Sequence, residues 1–410
     1  MGIENQGRGI SPVDFPILEM NRLKLFREMS MRHKTRHKGP VITMLWNTAL
    51  EVRTRVAVGA GARTKLSGTL HQINAGRHVL VLCQPSTAVH WLRDVLAHLP
   101  SEDYQVTTLE VPDGEACKTV DWLVRIWEHL QERGFERHDT IVALGGGSVS
   151  DLAGFAASTY MRGLNLIVVP TSLLAQVDAA IGGKTAINLP AGKNLAGTFF
   201  FPRAVLADQE ILSTVPRPQL VAGVAEILKY GMIEDTVAKQ TDYDKGQKSL
   251  LDVLQKAVED GFEIDDPAVS GLITSCIKMK LYIVARDPRE EGLRRVLNLG
   301  HTLGHALEKA GEFNLSHGAS VGIGLVHATK LAVQQKRVKK ADLEKVKDIL
   351  FTAGLPIEIP KGVAKDKLIE AMLHDKKRDG ETIKLILPQT RLGMVDYEVS
   401  LPVDDLSKLV

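Results

Sequence analysis

Cysteine is nearly absent: Cys83, Cys117 and Cys276 are the only three in 410 residues. They form no CxxC pair and no Cys/His cluster, so there is no basis for a disulfide framework or a thiolate zinc site. Aromatic residues make up only 5% of the chain, and the one conspicuous basic run, "MRHKTRHKGP" at 31–40, contains none. Without interleaved rings to stack on bases, that run reads as a solvated N-terminal arm and not as a nucleic-acid contact. Charge of either sign is not in excess either, with 51 Lys and Arg against 49 Asp and Glu and a net charge of +2. Such a balance sets up no overall field for a polyanion. We find no apolar run of the roughly 20 residues that a bilayer span needs, and no basic, apolar, small-residue signal pattern at the N-terminus. The expectation is a cytoplasmic enzyme or binding protein without membrane or nucleic-acid partners.

What is present is a globular composition, 44% hydrophobic and 24% charged, in a chain long enough for two domains. From about residue 50, short β-rich runs alternate with helical ones: "HVLVLCQ", "TAVHWLRDVLAHL", "YQVTTLEVP", "KTVDWLVRIWEHLQERG", "DTIVALGGG" and "LNLIVVP". That order predicts a parallel sheet with helices on its faces. Beyond about 215 the windows become long and amphipathic, which predicts a mainly helical second half with a late strand at "TIKLILP". The expected organisation is an extension over 1–45, a Rossmann-like α/β nucleotide-binding domain over 46–213, and a mainly α-helical metal- and substrate-binding domain over 214–410.

Five segments carry candidate chemistry. In "IVALGGGSVSDLAGFAA" an apolar strand runs through Gly145, Gly146 and Gly147 into a helix. Such a turn lets backbone amides approach a pyrophosphate, although glycine-rich turns also occur where nothing binds. "VDAAIGGKTAINLPAGKN" holds two Gly-Lys steps, at Lys184 and Lys193, with Asp178 and Asn194 nearby; it fits either a phosphate-facing loop or a solvated one. "VAEILKYG" sets Glu226 and Lys229 three apart on a hydrophobic helix, where a carboxylate needs a cation if it is not simply a surface ion pair. "LNLGHTLGHALE" places His301 and His305 on one helical face, as a ligand pair or as ordinary core histidines. His317 follows in "NLSHGASVGIGL", and Glu226, His301 and His317 together make up a permitted three-ligand catalytic metal set. Lys280, Arg294, Asn298, Lys376 and Lys377 add cations and an amide that suit a small polyanionic substrate.

The motifs "PDGEACK", "ALGGGSVSDLAGFAASTYMRG", "PTSLLAQVDAAIGGKTAIN", "GKN", "AEILKYG", "EEGLRRVLNLGHTLGHALE", "SHG" and "HDKK", in unbroken order over roughly 50–395, resemble 3-dehydroquinate synthases of the sugar phosphate cyclase superfamily. The resemblance implies that Glu226, His301 and His317 hold zinc, or cobalt in its place, while His305 faces the substrate phosphate. It implies NAD near Asp113, Glu115, Lys118, Gly145, Gly146, Gly147, Ser148, Asp151, Thr171, Ser172 and Lys193. It places Lys184, Asn194, Lys280, Arg294, Asn298, His305 and the Lys376/Lys377 pair on the sugar phosphate, with Asp178, Lys184, Lys229 and His305 in catalytic positions. Arg162 matches an arginine that reaches the neighbouring subunit's site, which implies a homodimer. The implied reaction turns 3-deoxy-D-arabino-heptulosonate 7-phosphate into 3-dehydroquinate and phosphate by transient oxidation with NAD, elimination, re-reduction and aldol closure. Arg294 suits the carboxylate of a heptulosonate; an aminated analogue fits the same positions, and a metal-dependent polyol dehydrogenase shares the architecture.

Overall fold

The computed structural model describes residues 41–47, 53–310, 315–373, 378–379 and 381–410. The basic arm and the Lys376/Lys377 pair lie outside the described residues. The first half carries β1 (Ile42–Asn47), β2 (Arg53–Val58), α1 (Leu66–Gln72), β3 (His78–Cys83), α2 (Pro85–Leu96), β4 (Gln105–Glu110), α3 (Val120–Glu132), β5 (Thr140–Gly145), α4 (Gly147–Thr159), β6 (Asn165–Pro170), β7 (Lys184–Leu189), β8 (Gly192–Phe199) and β9 (Ala204–Ala207). The second carries α5 (Arg217–Gln240), α6 (Leu250–Glu259), α7 (Pro267–Arg286), α8 (His301–Ala310), α9 (His317–Gln334), α10 (Lys340–Thr352), α11 (Lys365–Leu373), β10 (Arg378–Asp379), β11 (Thr382–Gln389) and β12 (Arg391–Pro402).

Seven strands form one sheet in the order β1-β2-β9-β6-β5-β3-β4, parallel throughout except for β1, which pairs antiparallel with β2. The near-continuous apolar runs of β3 and β5 follow from burial on both faces. Leu80, Leu82, Ile141 and Ala143 face α3 and α4, while Val79, Val81, Val142 and Leu144 face α1 and α2. Strand β4 leaves β3 for the sheet edge and β5 returns on the other side of β3, so the strand order reverses between β3 and β5. Ligands of open α/β sheets bind at the carboxyl ends of the strands at such a reversal. Two features were not foreseen. Strand β1 begins inside the segment expected to be an extension, and the Gly-Lys segment folds as a separate two-stranded hairpin, β7–β8.

The second half is organised around α5, in which every residue from Leu220 to Glu234 is buried. A helix covered on all sides carries its polar residues into the interior, which is how Glu226 and Lys229 come to lie there. The N-terminus of α9 crosses α5 at Gly318, where a Cβ would stand 1.9 Å from the Ala222 carbonyl oxygen. Only glycine permits that approach, and it brings His317 beside Glu226. Helix α7, which contains an 18-residue window of mean hydropathy 1.4, is long and apolar enough to cross a membrane, a run that the sequence reading missed. It carries buried Cys276 and Lys280 and packs against α5 and α6 as a core helix.

Candidate active site

Glu226 is wholly buried, and its carboxylate oxygens accept no well-formed hydrogen bond from the protein. Oε1 lies 3.6 Å from His301 Nε2 and 3.4 Å from His317 Nε2, and Oε2 is in ion-pair contact with Lys229 Nζ. The other nitrogen of each ring is engaged: His301 Nδ1 lies 3.0 Å from the Leu299 carbonyl oxygen, and His317 Nδ1 lies 3.1 Å from Glu308 Oε2. With Nδ1 held by an acceptor in each ring, both Nε2 atoms face Glu226. One ligand atom from each of the three residues lies within 4.8 Å of the others. One carboxylate and two imidazoles, buried and mutually aimed, fit an open three-ligand site for a divalent cation.

The electrostatics agree with that fit. Against its burial, the Lys229 ammonium and the two imidazoles hold the Glu226 carboxyl down to about 2. Burial and Lys229 push His301 well below the ordinary histidine range, so its Nε2 lone pair is free. Glu226 and Glu308 overcome burial to raise His317 to about 10, leaving a proton for a cation to displace. His305 is exposed beside the cluster, its ring centroid 5.3 Å from that of His301 and 6.3 Å from that of His317.

A second cluster lies against the first. Asp178 lies in a π-helical turn, Ala175–Ala179, of the kind that recurs at functional sites. Its Oδ1 accepts a hydrogen bond from Tyr230 Oη at 2.7 Å and from Lys280 Nζ at 2.8 Å, and lies 3.8 Å from Lys229 Nζ. Burial raises the Asp178 pKa, but Lys229 and Lys280 outweigh it and keep the carboxylate ionised. Lys280, almost wholly buried, is pushed down to about 8 by desolvation that Asp178 only partly offsets. Arg294 is 1% exposed; it donates to the Pro288 carbonyl from Nη1 and the Gly182 carbonyl from Nη2, while Nε has no partner. Among the described residues no carboxylate lies within ion-pair distance of it. A buried guanidinium held by two carbonyls and the face of the Phe199 ring, 5.6 Å away, with Nε unpartnered, is built to receive an anion. Lys184 contacts Glu290 Oε2, and Asn298 Nδ2 donates to Glu290 Oε1.

At the strand reversal the helix α4 N-terminus follows β5 directly, with Gly146 at its cap. Its first N–H groups lie at the carboxyl edge where a pyrophosphate would sit. Lys118, 2% exposed, donates to Asp151 Oδ2 at 2.7 Å and contacts Asn194 Oδ1. Burial, against the pull of Lys118, raises Asp151 to about 6. Glu115 accepts from Asn188 Nδ2, so the segment after β4 is tied to the β7–β8 hairpin. Thr171 N bonds the Gly145 carbonyl oxygen, joining the ends of β6 and β5, and Ser172 Oγ caps the turn that carries Asp178 by accepting from Ala175 N.

Three further expected positions have the following surroundings. Asp113 accepts from the Ser86 hydroxyl and amide at the start of α2. Lys193 points to Glu308, 3.5 Å away, beside His317. Arg162 joins none of these contacts; it stands exposed with a left-handed backbone, φ 66°, on the turn after α4. Tyr230, Glu308 and Gly182 belong to the site but were not singled out from sequence. Tyr230 directly follows Lys229 and Glu308 lies one heptad after His301, a spacing that offered a signal for the latter.

Comparison with known proteins agrees with this geometry. The chain matches the family model for the 3-dehydroquinate synthase N-terminal region over residues 108–222 and that for its C-terminal region over 223–378. It is 37% identical over 342 residues to a 3-dehydroquinate synthase from a Nostoc species, covering 83% of this chain and 91% of that protein. The corresponding enzyme of Nostoc punctiforme is 35% identical over 372 residues, 90% of this chain and 99% of the relative. Among solved structures, 2-deoxy-scyllo-inosose synthase complexed with carbaglucose-6-phosphate, NAD+ and Co2+ superposes with TM-score 0.76 at 25% identity, covering 90% of this chain and 98% of that one. The 2-epi-5-epi-valiolone synthase of Streptomyces hygroscopicus, with NAD+ and Zn2+ bound, shares the fold with TM-score 0.76 at 22% identity, covering 94% and 98%. A probable glycerol dehydrogenase from Sinorhizobium meliloti shares the fold more distantly, with TM-score 0.58 at 19% identity over 85% and 93%. The motif order, the paired family models and the full-length relatives lead to one assignment: the chain belongs to the 3-dehydroquinate synthase family.

Proposed function

We propose that the chain converts 3-deoxy-D-arabino-heptulosonate 7-phosphate to 3-dehydroquinate and phosphate, as a carbon–oxygen lyase of the shikimate pathway. In this reading NAD lies across the β3/β5 reversal in the 46–213 domain, and Glu226, His301 and His317 of the 214–410 domain hold zinc, with cobalt able to replace it. The observation that carries it is the meeting of Glu226, His301 and His317 with the cationic group of Lys229, Lys280 and Arg294 in one buried site. When bound, NAD supplies a reversible hydride acceptor and the metal a Lewis acid.

The chain's own residues do the rest. Asp178 holds Lys280, Lys229 and Tyr230 in one array, so the two ammonium groups keep fixed positions toward oxygens that gain negative charge. Lys184, Asn194, Asn298 and His305 receive the sugar phosphate, and Arg294 receives the carboxylate. The unpartnered Nε of Arg294 supports an acidic substrate over a carboxylate-free sugar phosphate. Elimination needs no strong base from the protein if the substrate's own phosphate accepts the proton, and the cations that hold that phosphate fix its position for this. We also propose a homodimer: Met161, next to Arg162, and Leu195 and Phe199 on β8 are 47%, 42% and 45% exposed, apolar surface that a second copy would cover.

The direct test is His301→Ala. Phosphate release from the heptulosonate should fall by at least about a thousandfold, since the change removes a ligand on which transition-state charge stabilisation depends, while the melting profile and NAD affinity stay native. Retention of native turnover would refute the assignment.

A further inference from the structure

The two imidazoles are held in different ways. His301 is 7% exposed, and its Nδ1 lies against a backbone carbonyl that cannot rotate away. The His317 side chain is 34% exposed and sits at the first position of α9, with its Nδ1 against a side-chain carboxylate, that of Glu308. Glu308 is on α8 seven residues after His301, the same face two turns later. Helix α8 therefore carries one imidazole of the cluster and the group that orients the other. The far oxygen of the same carboxylate, Oε1, is 3.5 Å from Lys193 Nζ on β8.

We infer that Glu308 is a positioning residue for the metal centre: it fixes the ring orientation and Nδ1–H tautomer of His317, and Lys193 fixes Glu308 in turn. The inference rests on the reading of Glu226, His301 and His317 as the metal ligands. A carboxylate that accepts from a ligating imidazole also makes its Nε2 a stronger donor, and loss of such a partner typically weakens metal binding 10- to 100-fold. Of the two imidazoles, His317 needs this support more. Its ring is the more exposed, and no rigid backbone acceptor faces its Nδ1 among the described residues.

The test is Zn2+ and Co2+ affinity of the full chain, measured by competition with a chromophoric chelator, together with the Co2+ d–d spectrum. Glu308→Ala should weaken both ions 10- to 100-fold and shift the d–d bands, with the metal-free melting temperature and NAD affinity unchanged. Glu308→Gln, whose amide oxygen still accepts from Nδ1–H, should fall between Ala and wild type, and it serves as the informative variant should Glu308→Ala fold poorly. Lys193→Met should give a smaller loss in the same direction. Affinity within twofold of wild type in a folded Glu308→Gln and Glu308→Ala pair would overturn the inference. Glu226→Ala is the control that separates the two readings. If it abolishes metal binding while the Glu308 variants keep it, only the positioning role fails; if it leaves binding intact, the ligand assignment fails first.

Discussion

Lys280 offers a pH test that can be worked from the structure. Its ammonium is 5% exposed in the residue as a whole and donates to both the carbonyl and Oδ1 of Asp178. Desolvation lowers its pKa from 10.5 to about 8, with Arg294 and Lys229 adding to the depression and Asp178 opposing it. Because the folded pKa lies below the unfolded one, the unfolded chain binds more protons between about pH 8 and 10.5. Stability from this group alone therefore rises with pH through that window, by roughly 3 kcal/mol for a shift of this size, and is lost as pH falls to 8. Activity runs the other way, because an anionic substrate needs the protonated form. For one titrating group at about pH 8, kcat/KM should fall about 30-fold between pH 7 and 9.5. The assay is phosphate release at low substrate across that range for wild type and Lys280→Arg, whose guanidinium stays charged throughout. The variant should lose activity at pH 7 from imperfect fit but show no decline from this group above pH 8. A wild-type profile flat to pH 9.5, or the same falling limb in Lys280→Arg, would refute the reasoning.

Two further outcomes follow from the guanidinium beside it. Arg294→Met should cost about 3–4 kcal/mol in kcat/KM for the heptulosonate, a loss of 10²- to 10³-fold from removing a charge-assisted fork to a carboxylate. Its melting temperature should change little, because relief of a buried charge offsets the two lost bonds to Gly182 and Pro288; steady-state kinetics and thermal denaturation check both. Gly182→Ala should destabilise the fold by roughly 1–3 kcal/mol through the left-handed backbone at φ 102°. It should also cut kcat/KM at least about tenfold, because the new Cβ would stand 2.7 Å from Arg294 Nη2 and displace it. Denaturant titration alongside kinetics separates the two effects.

The alternation of apolar runs with amphipathic ones made the parallel sheet legible, since strands buried on both faces cannot be read as anything polar. Glu226 was legible for a similar reason: an acid flanked by apolar residues on an apolar helix needs a cation. The histidine pair was not decided by its spacing. His301 and His305 share a face, yet only His301 turns its Nε2 to Glu226, and the third member, His317, arrives through the close crossing at Gly318. The three glycines from the end of β5 to the start of α4 were read as room for an anion, whereas Gly145 is also demanded by packing, because its Cβ would stand 2.6 Å from Val149. The β7–β8 hairpin, Tyr230 and the Arg294–Gly182 contact were hidden because each depends on which segments meet in space and not on any local period.

The proposed reaction is a cyclisation with no net redox change, and one experiment measures it directly. Purified protein is given 3-deoxy-D-arabino-heptulosonate 7-phosphate, a catalytic amount of NAD and Zn2+, and phosphate, NADH and product mass are followed together. The expected result is one phosphate per 3-dehydroquinate formed, over many turnovers per NAD, with no accumulation of NADH. Stoichiometric NADH without phosphate release would contradict it and assign the site to polyol oxidation, and turnover confined to an aminated or carboxylate-free sugar phosphate would contradict the role given to Arg294.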